Sequence, residues 1–252
     1  ENHPQINRVI PEHSLLVSIW LTNHSPFTQF YNLHLSELRF DPFFKSNLSN
    51  IKADKLGLNI HTYYHRGNLL KGIYEICDIP YLESKQPRLY LGNNDSLKLP
   101  QNYWVIHRKS NGADREWKDE NWLKLIQKTL NQYDTTIIEI GVSDGLTINH
   151  PKFISFVGKT SLLNMAKMIQ RADFFIGIDS GPTHIANAFE IPGLILLGNY
   201  KDFKNHMPYS GAYETGCAKI YHYPDGLSTE IPFETVWQML TQLKPIPSTQ
   251  LA

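Results

Sequence analysis

The residues best suited to chemistry lie in one run, Asp179-Ser180-Gly181-Pro182-Thr183-His184, between the apolar stretches Phe174–Ile178 and Leu194–Leu197. Unbroken apolar runs of this length read as strands buried on both faces of a parallel sheet. Asp179 or Ser180 can cap a following helix, and Pro182 suits its first turn, where a missing N–H costs little. Thr183 to Phe189 continues as a short helix that ends at Ile191-Pro192-Gly193. The helix start offers free N–H groups and the positive end of its dipole at the carboxyl end of a strand. Open α/β sheets bind ligands there, and the site suits an anion such as a diphosphate.

Other loops that follow strands supply matching groups. They are His107–Trp117, Gly141–His150 and Gly158–Ser161. Arg108, Lys109 and Arg115 are cations able to neutralise a diphosphate. Asp144 and Asp179 are acceptors for ribose or sugar hydroxyls. Ser180, Gly181 and Thr183 offer N–H and hydroxyl groups, and His184 stands one turn into the helix. The set has the shape of a nucleotide site, yet no Walker lysine and no Gly-x-Gly-x-x-Gly accompany it. No Gly-x-Ser-x-Gly elbow or Cys–His pair points to a hydrolase.

Each residue also has a plainer role. Asp179 can be only a helix cap, Asp144 a turn former, His184 a packing residue and Arg115 a stacking partner for Trp117. His61 and His65 in HTYYH have metal-pair spacing, but no third ligand stands nearby, so no metal is expected. Cys77 reads as structural.

The elements that position these groups follow from periodicity. Strands are expected at Ser14–Leu21, Arg88–Leu91, Tyr103–His107, Thr135–Ile140 and Phe153–Val157. Helices are expected at Arg66–Ile76, Glu120–Leu130 and Phe233–Leu243, each with an apolar stripe, and at Ser161–Arg171, capped by Ser161 or Thr160. Residues 22–60 show weak periodicity, Gly92–Asn102 has linker composition, and the stretch beyond Tyr200 reads as irregular. Strands alternating with helices imply a right-handed parallel α/β sheet. Two α/β units follow: an N-terminal domain at 1–95, short or incomplete, and a C-terminal domain at 96–252. The last helix is expected to pack back on the first.

Composition narrows the class. The 252-residue chain is 41% hydrophobic, enough for a sizeable core, and its 24 basic and 24 acidic residues balance. Such balance gives no electrostatic reason to expect nucleic acid. Two cysteines are too few for a disulfide framework and fit a reduced cytosol. No apolar run approaches a membrane span, and no signal pattern precedes the first strand. The chain opens on Glu1 rather than Met, as expected of a piece of a longer protein.

FIGIDSGPTHIANAFEIPGLILLG resembles the donor-site signature of glycosyltransferase family 9, the bacterial lipopolysaccharide heptosyltransferases. VIHRKSNGADREWKDENWLKLI, TTIIEIGVSDG and FISFVGKTSLLNMAKMIQRADF resemble further family segments in the same order, and HTYYHRGNLLKGIYEICDIPYLESKQPRLYL is similar to the lead-in. The resemblance implies a GT-B fold of two Rossmann-like domains. It implies inverting, metal-independent transfer of a heptose-like sugar from an ADP-heptose-like donor to a glycan or lipopolysaccharide-core acceptor. It implies no cofactor, and a cytoplasmic protein peripheral to the inner membrane. Asp179 then matches the aspartate that contacts sugar hydroxyls, and Ser180 and Gly181 match positions beside the diphosphate. Arg115 stands where the family has lysine, and Asp144 falls near a ribose-binding glutamate.

The family's strand and Gly-Asp loop with the general base has no counterpart in this sequence. Glu37 and Asp41 are candidates only by charge. The expectation is a glycosyltransferase whose base lies elsewhere. The alternative is a non-catalytic nucleotide-sugar-binding or scaffolding domain of a larger glycan-assembly protein.

Overall fold

The computed structural model describes residues 4, 51–59, 62, 68–81, 86–92, 97–199 and 207–244. The chain divides into two compact units, Glu1–Leu82 and Glu83–Ala252. The expected strand at Ser14–Leu21, the base candidates Glu37 and Asp41, and the pair His61 and His65 all lie outside the described residues.

In the first unit, α1 (Ile51–Lys55) and α2 (Leu69–Ile76) are helical. The Asn68 side chain accepts from the Leu70 N–H at 2.9 Å and so caps α2. Ala53, Leu58 and Ile76 form a small apolar cluster, and Lys52 pairs with Asp78.

The second unit holds a six-stranded sheet. Its strands are β1 (Tyr103–His107), β2 (Thr136–Ile140), β3 (Phe153–Ser155), β4 (Phe174–Ile178), β5 (Gly193–Leu197) and β6 (Ala218–His222). The helices between and after them are α3 (Asp119–Gln132), α4 (Leu162–Gln170), α5 (Gly181–Ala188) and α6 (Phe233–Leu243). The spatial order is β3-β2-β1-β4-β5-β6, and all neighbouring pairs are parallel. This is the α/β class that the alternating pattern predicts.

The central strands β1, β4 and β5 are buried at every position because both their faces are covered. Trp104 and Ile106 turn to one face, with Trp122, Leu125 and Ile126 of α3 and Val236 and Leu240 of α6. Tyr103 and Val105 turn to the other, with Met168 and Ile169 of α4 and Ala186 of α5. The two-residue alternation of a strand makes this division. In α3, Trp122, Leu125, Ile126, Thr129 and Leu130 form the buried stripe at i, i+3, i+4, i+7 and i+8. The Ser161 hydroxyl caps α4 by accepting from the Asn164 N–H at 3.2 Å.

Several elements differ from expectation. Residues 88–91 form no strand and belong to no ladder among the described residues, and Leu89 is exposed. An apolar-polar alternation makes a strand only when a partner supplies its hydrogen bonds. Conversely, β6 lies within the stretch that reads as irregular. It is a short edge strand with only Ala218 buried, so its apolar signal is weak. β3 ends at Ser155 rather than Val157, where the chain turns away. Gly198 just beyond β5 meets the turn at Ser228–Glu230 so closely that a Cβ would lie 2.1 Å from the Ser228 nitrogen. Only glycine permits that approach.

Candidate functional site

The strand order reverses between β1 and β4, the point where open α/β sheets leave a crevice outside their carboxyl ends. β1 ends at His107 and β4 at Ile178, so the loop His107–Trp117 and the turn Asp179–Pro182 flank that crevice.

Ser180 occupies the cap position of α5, but its side chain makes no cap hydrogen bond. Its hydroxyl lies 2.9 Å from His107 Nδ1 and donates at 3.2 Å to the Ile178 carbonyl. The first N–H groups of α5 therefore have no side-chain partner from Ser180, and an anion is the natural partner for them. Gly181 opens the same space: a Cβ added there would meet nothing within 4 Å. Thr183 is fully buried and donates to the Ile178 carbonyl at 2.6 Å, so its hydroxyl shapes the turn rather than facing the crevice.

His107 is 7% exposed, and burial together with the Arg108 charge lowers its pKa to about 4. It is a neutral ring at pH 7.

The three cations of the β1 loop have different fates. Arg108 is 2% exposed, and its Nε donates to Glu139 Oε1 at 2.6 Å while Nη1 reaches Asp119 Oδ1 at 2.8 Å. Glu139 is wholly buried and also accepts from Ser155 Oγ at 2.7 Å and the Leu146 N–H at 3.0 Å. Arg108 is thus a strut joining β1, β2 and α3, turned inward from the crevice. Lys109 bonds Glu116 and Asp119, each at 3.1 Å. Burial alone would lower its pKa, but these two carboxylates outweigh it and raise the value. Arg115, in the 3-10 turn Ala113–Arg115, forms no ion pair among the described residues, and its Nη1 reaches the Asp179 carbonyl at 3.5 Å. Of the three, it is the cation best free to meet an anion at the start of α5.

Asp179 accepts from the Tyr209 hydroxyl at 3.1 Å through Oδ1. His184 is exposed, with its ring against Tyr209 at 4.9 Å between centroids. Asp144 lies apart in the loop after β2. It is exposed, adopts a left-handed φ of 59° and accepts from Ser143 Oγ at 3.0 Å. Asp and Asn tolerate that region better than most residues, so its turn-forming role is evident. A cleft of about 480 Å³ lined by Lys109, Glu116, Asp119 and Thr229, among others, adjoins the β1 loop without including the α5 start.

His107, Glu139 and Tyr209 were not among the residues read from sequence. Glu139 carries a signal, as a lone acid inside the apolar run Thr136–Ile140. Tyr209 carries none. Among the described residues, no group of three or more His, Cys, Asp or Glu side chains could hold a metal. No described helix is long and apolar enough to cross a membrane.

Fold and crevice together define a Rossmann-type α/β domain with an anion-ready switch point. The family model of glycosyltransferase family 9 (heptosyltransferase) matches residues 79–231, more than half of the chain. The chain belongs to that family. Among solved structures it is similar to the Escherichia coli heptosyltransferase WaaC with ADP, at 18% identity over 56% of this chain and 44% of that one, TM-score 0.45. It is similar to Escherichia coli ADP-heptose lps heptosyltransferase II, at 16% identity over 59% and 48%, TM-score 0.49. A family 9 glycosyl transferase from Veillonella parvula DSM 2008 gives 18% identity over 58% and 47%, TM-score 0.46. The chain spans less than half the length of each. No curated protein matches it.

Proposed function

We propose that this chain carries the donor side of a glycosyltransferase that moves a heptose-like sugar from a nucleotide-diphosphate sugar to a glycan or lipopolysaccharide-core acceptor. The observation that carries this reading is the uncapped start of α5 at the β1–β4 switch point, beside Arg115, in a chain of this family. The diphosphate rests on the α5 N–H groups, and the Arg115 guanidinium balances its charge. Asp179 accepts from a sugar hydroxyl.

The transfer is inverting and uses no metal or cofactor. The acceptor oxygen attacks the anomeric carbon, the bond from that carbon to the diphosphate oxygen breaks, and the diphosphate leaves with the electron pair. Arg115 and the helix start stabilise that developing charge. The acceptor hydroxyl loses its proton to a general base of a second Rossmann-like domain in a GT-B arrangement. The protein works in the cytoplasm, at the inner face of the membrane where such acceptors are built.

Calorimetric titration with ADP and ADP-heptose tests the reading. Binding is expected for the wild type, unaffected by a chelator, and lost in Arg115→Ala with Asp179→Ala. Donor binding that survives the double substitution would sink the site assignment.

A further inference from the structure

Tyr209 is 1% exposed, and no property of the sequence marks it as part of a site. Its segment is clamped onto α5. The Asn187 side chain donates from Nδ2 to the Ser210 carbonyl at 2.8 Å and accepts from the Tyr213 N–H at 3.0 Å. Gln86 reinforces this by accepting from the Ala212 N–H at 2.6 Å and donating to the Asn187 carbonyl at 2.5 Å. The Tyr213 ring supports the Tyr209 ring edge-on at 5.7 Å. The Tyr209 hydroxyl is thus delivered to Asp179 Oδ1 from a rigid base, at 3.1 Å.

We infer that Tyr209 is a positioning residue for sugar recognition: it occupies Asp179 Oδ1 and leaves Oδ2, which accepts no hydrogen bond among the described residues, to accept from one hydroxyl of the donor sugar. The inference rests on the donor-binding reading above. Burial, and then the Asp179 charge, push the phenol pKa well above its ordinary value, so the phenol keeps its proton and donates at any working pH. A carboxylate held at one oxygen by a fixed donor has lost much of its rotational freedom before the sugar arrives, and preorganisation of this kind strengthens binding without a new contact. The diphosphate, held by α5 and Arg115, does not depend on it.

The test compares ADP with ADP-heptose by calorimetry on wild type, Tyr209→Phe, Asp179→Ala and the double variant. Tyr209→Phe removes one oxygen and keeps the ring packing. It is expected to weaken ADP-heptose about tenfold, in the range of one hydrogen bond to a charged group, and to leave ADP within about twofold. On the Asp179→Ala background it is expected to add nothing. Equal weakening of ADP and ADP-heptose would mean a merely structural role and overturn the inference. So would an unchanged ADP-heptose affinity, or additive effects in the double variant. A wild type that binds neither ligand overturns the donor reading itself, and the inference with it. Should Tyr209→Phe melt, the Asp179→Ala comparison still decides: it must lose ADP-heptose selectively.

Discussion

His107 Nδ1 lies 2.9 Å from Ser180 Oγ, so the last residue of β1 holds the cap residue of α5 across the switch point. Ser180 is a residue type that ordinarily caps its own helix. Here its hydroxyl is drawn to a neighbouring strand, and the helix start stays open. His107→Ala frees that hydroxyl to compete for the α5 N–H groups. ADP affinity is expected to fall about tenfold, on the scale of one charge-assisted hydrogen bond. Calorimetry, with circular dichroism to confirm the fold, checks this.

The same histidine makes stability depend on pH. Its folded pKa of about 4 lies below the ordinary value of 6.5, so the unfolded chain binds the extra proton. Its stabilising contribution is full above pH 6.5 and is lost as pH falls from there to about 4. The loss amounts to about 3 kcal/mol, from the shift in pKa. Urea denaturation of wild type and His107→Gln from pH 7 to pH 4 should show a steeper decline in the wild type. Parallel curves would contradict it.

Arg108 and Glu139 form a buried pair, and the second member is wholly enclosed. Removing one partner leaves a charge without compensation. Arg108→Met should cost roughly 3–5 kcal/mol. Arg108→Met with Glu139→Leu should cost much less than the two single losses added, because no lone charge remains. Chemical denaturation of the three variants measures this coupling.

Arg115 makes no ion pair among the described residues, so its contribution to stability is small. Arg115→Ala should change stability by less than about 0.5 kcal/mol. It should weaken ADP at least tenfold, as loss of a charged hydrogen bond to phosphate does, at about 1.5–3 kcal/mol. Titration at two salt concentrations should show a smaller salt dependence in the variant.

Gly181 faces open space, so a side chain there meets only what binds. Gly181→Val should leave the melting temperature close to that of wild type. It should also abolish ADP binding, because its methyl groups occupy the position of the anion. A melting curve and a titration on one preparation decide the matter. Undiminished ADP affinity would place the diphosphate elsewhere.

The sequence alone determined the central strands and the helix start at the carboxyl end of one of them. Phe174–Ile178 and Gly193–Leu197 are apolar because both their faces are covered, and that need is visible in composition. The turn residues Asp179 to Pro182 likewise announce a helix start, since cap and first-turn positions have strong chemical preferences. Only the tertiary structure decided which polar groups face the ligand. Arg108 and Arg115 look alike in sequence, yet one is consumed by Glu139, 31 residues away, and the other makes no ion pair among the described residues. Tyr209 reaches Asp179 from 30 residues downstream because Asn187 clamps its segment to α5. Pairings of that kind depend on which side chains packing brings together at 3 Å, and local periodicity contains no term for them.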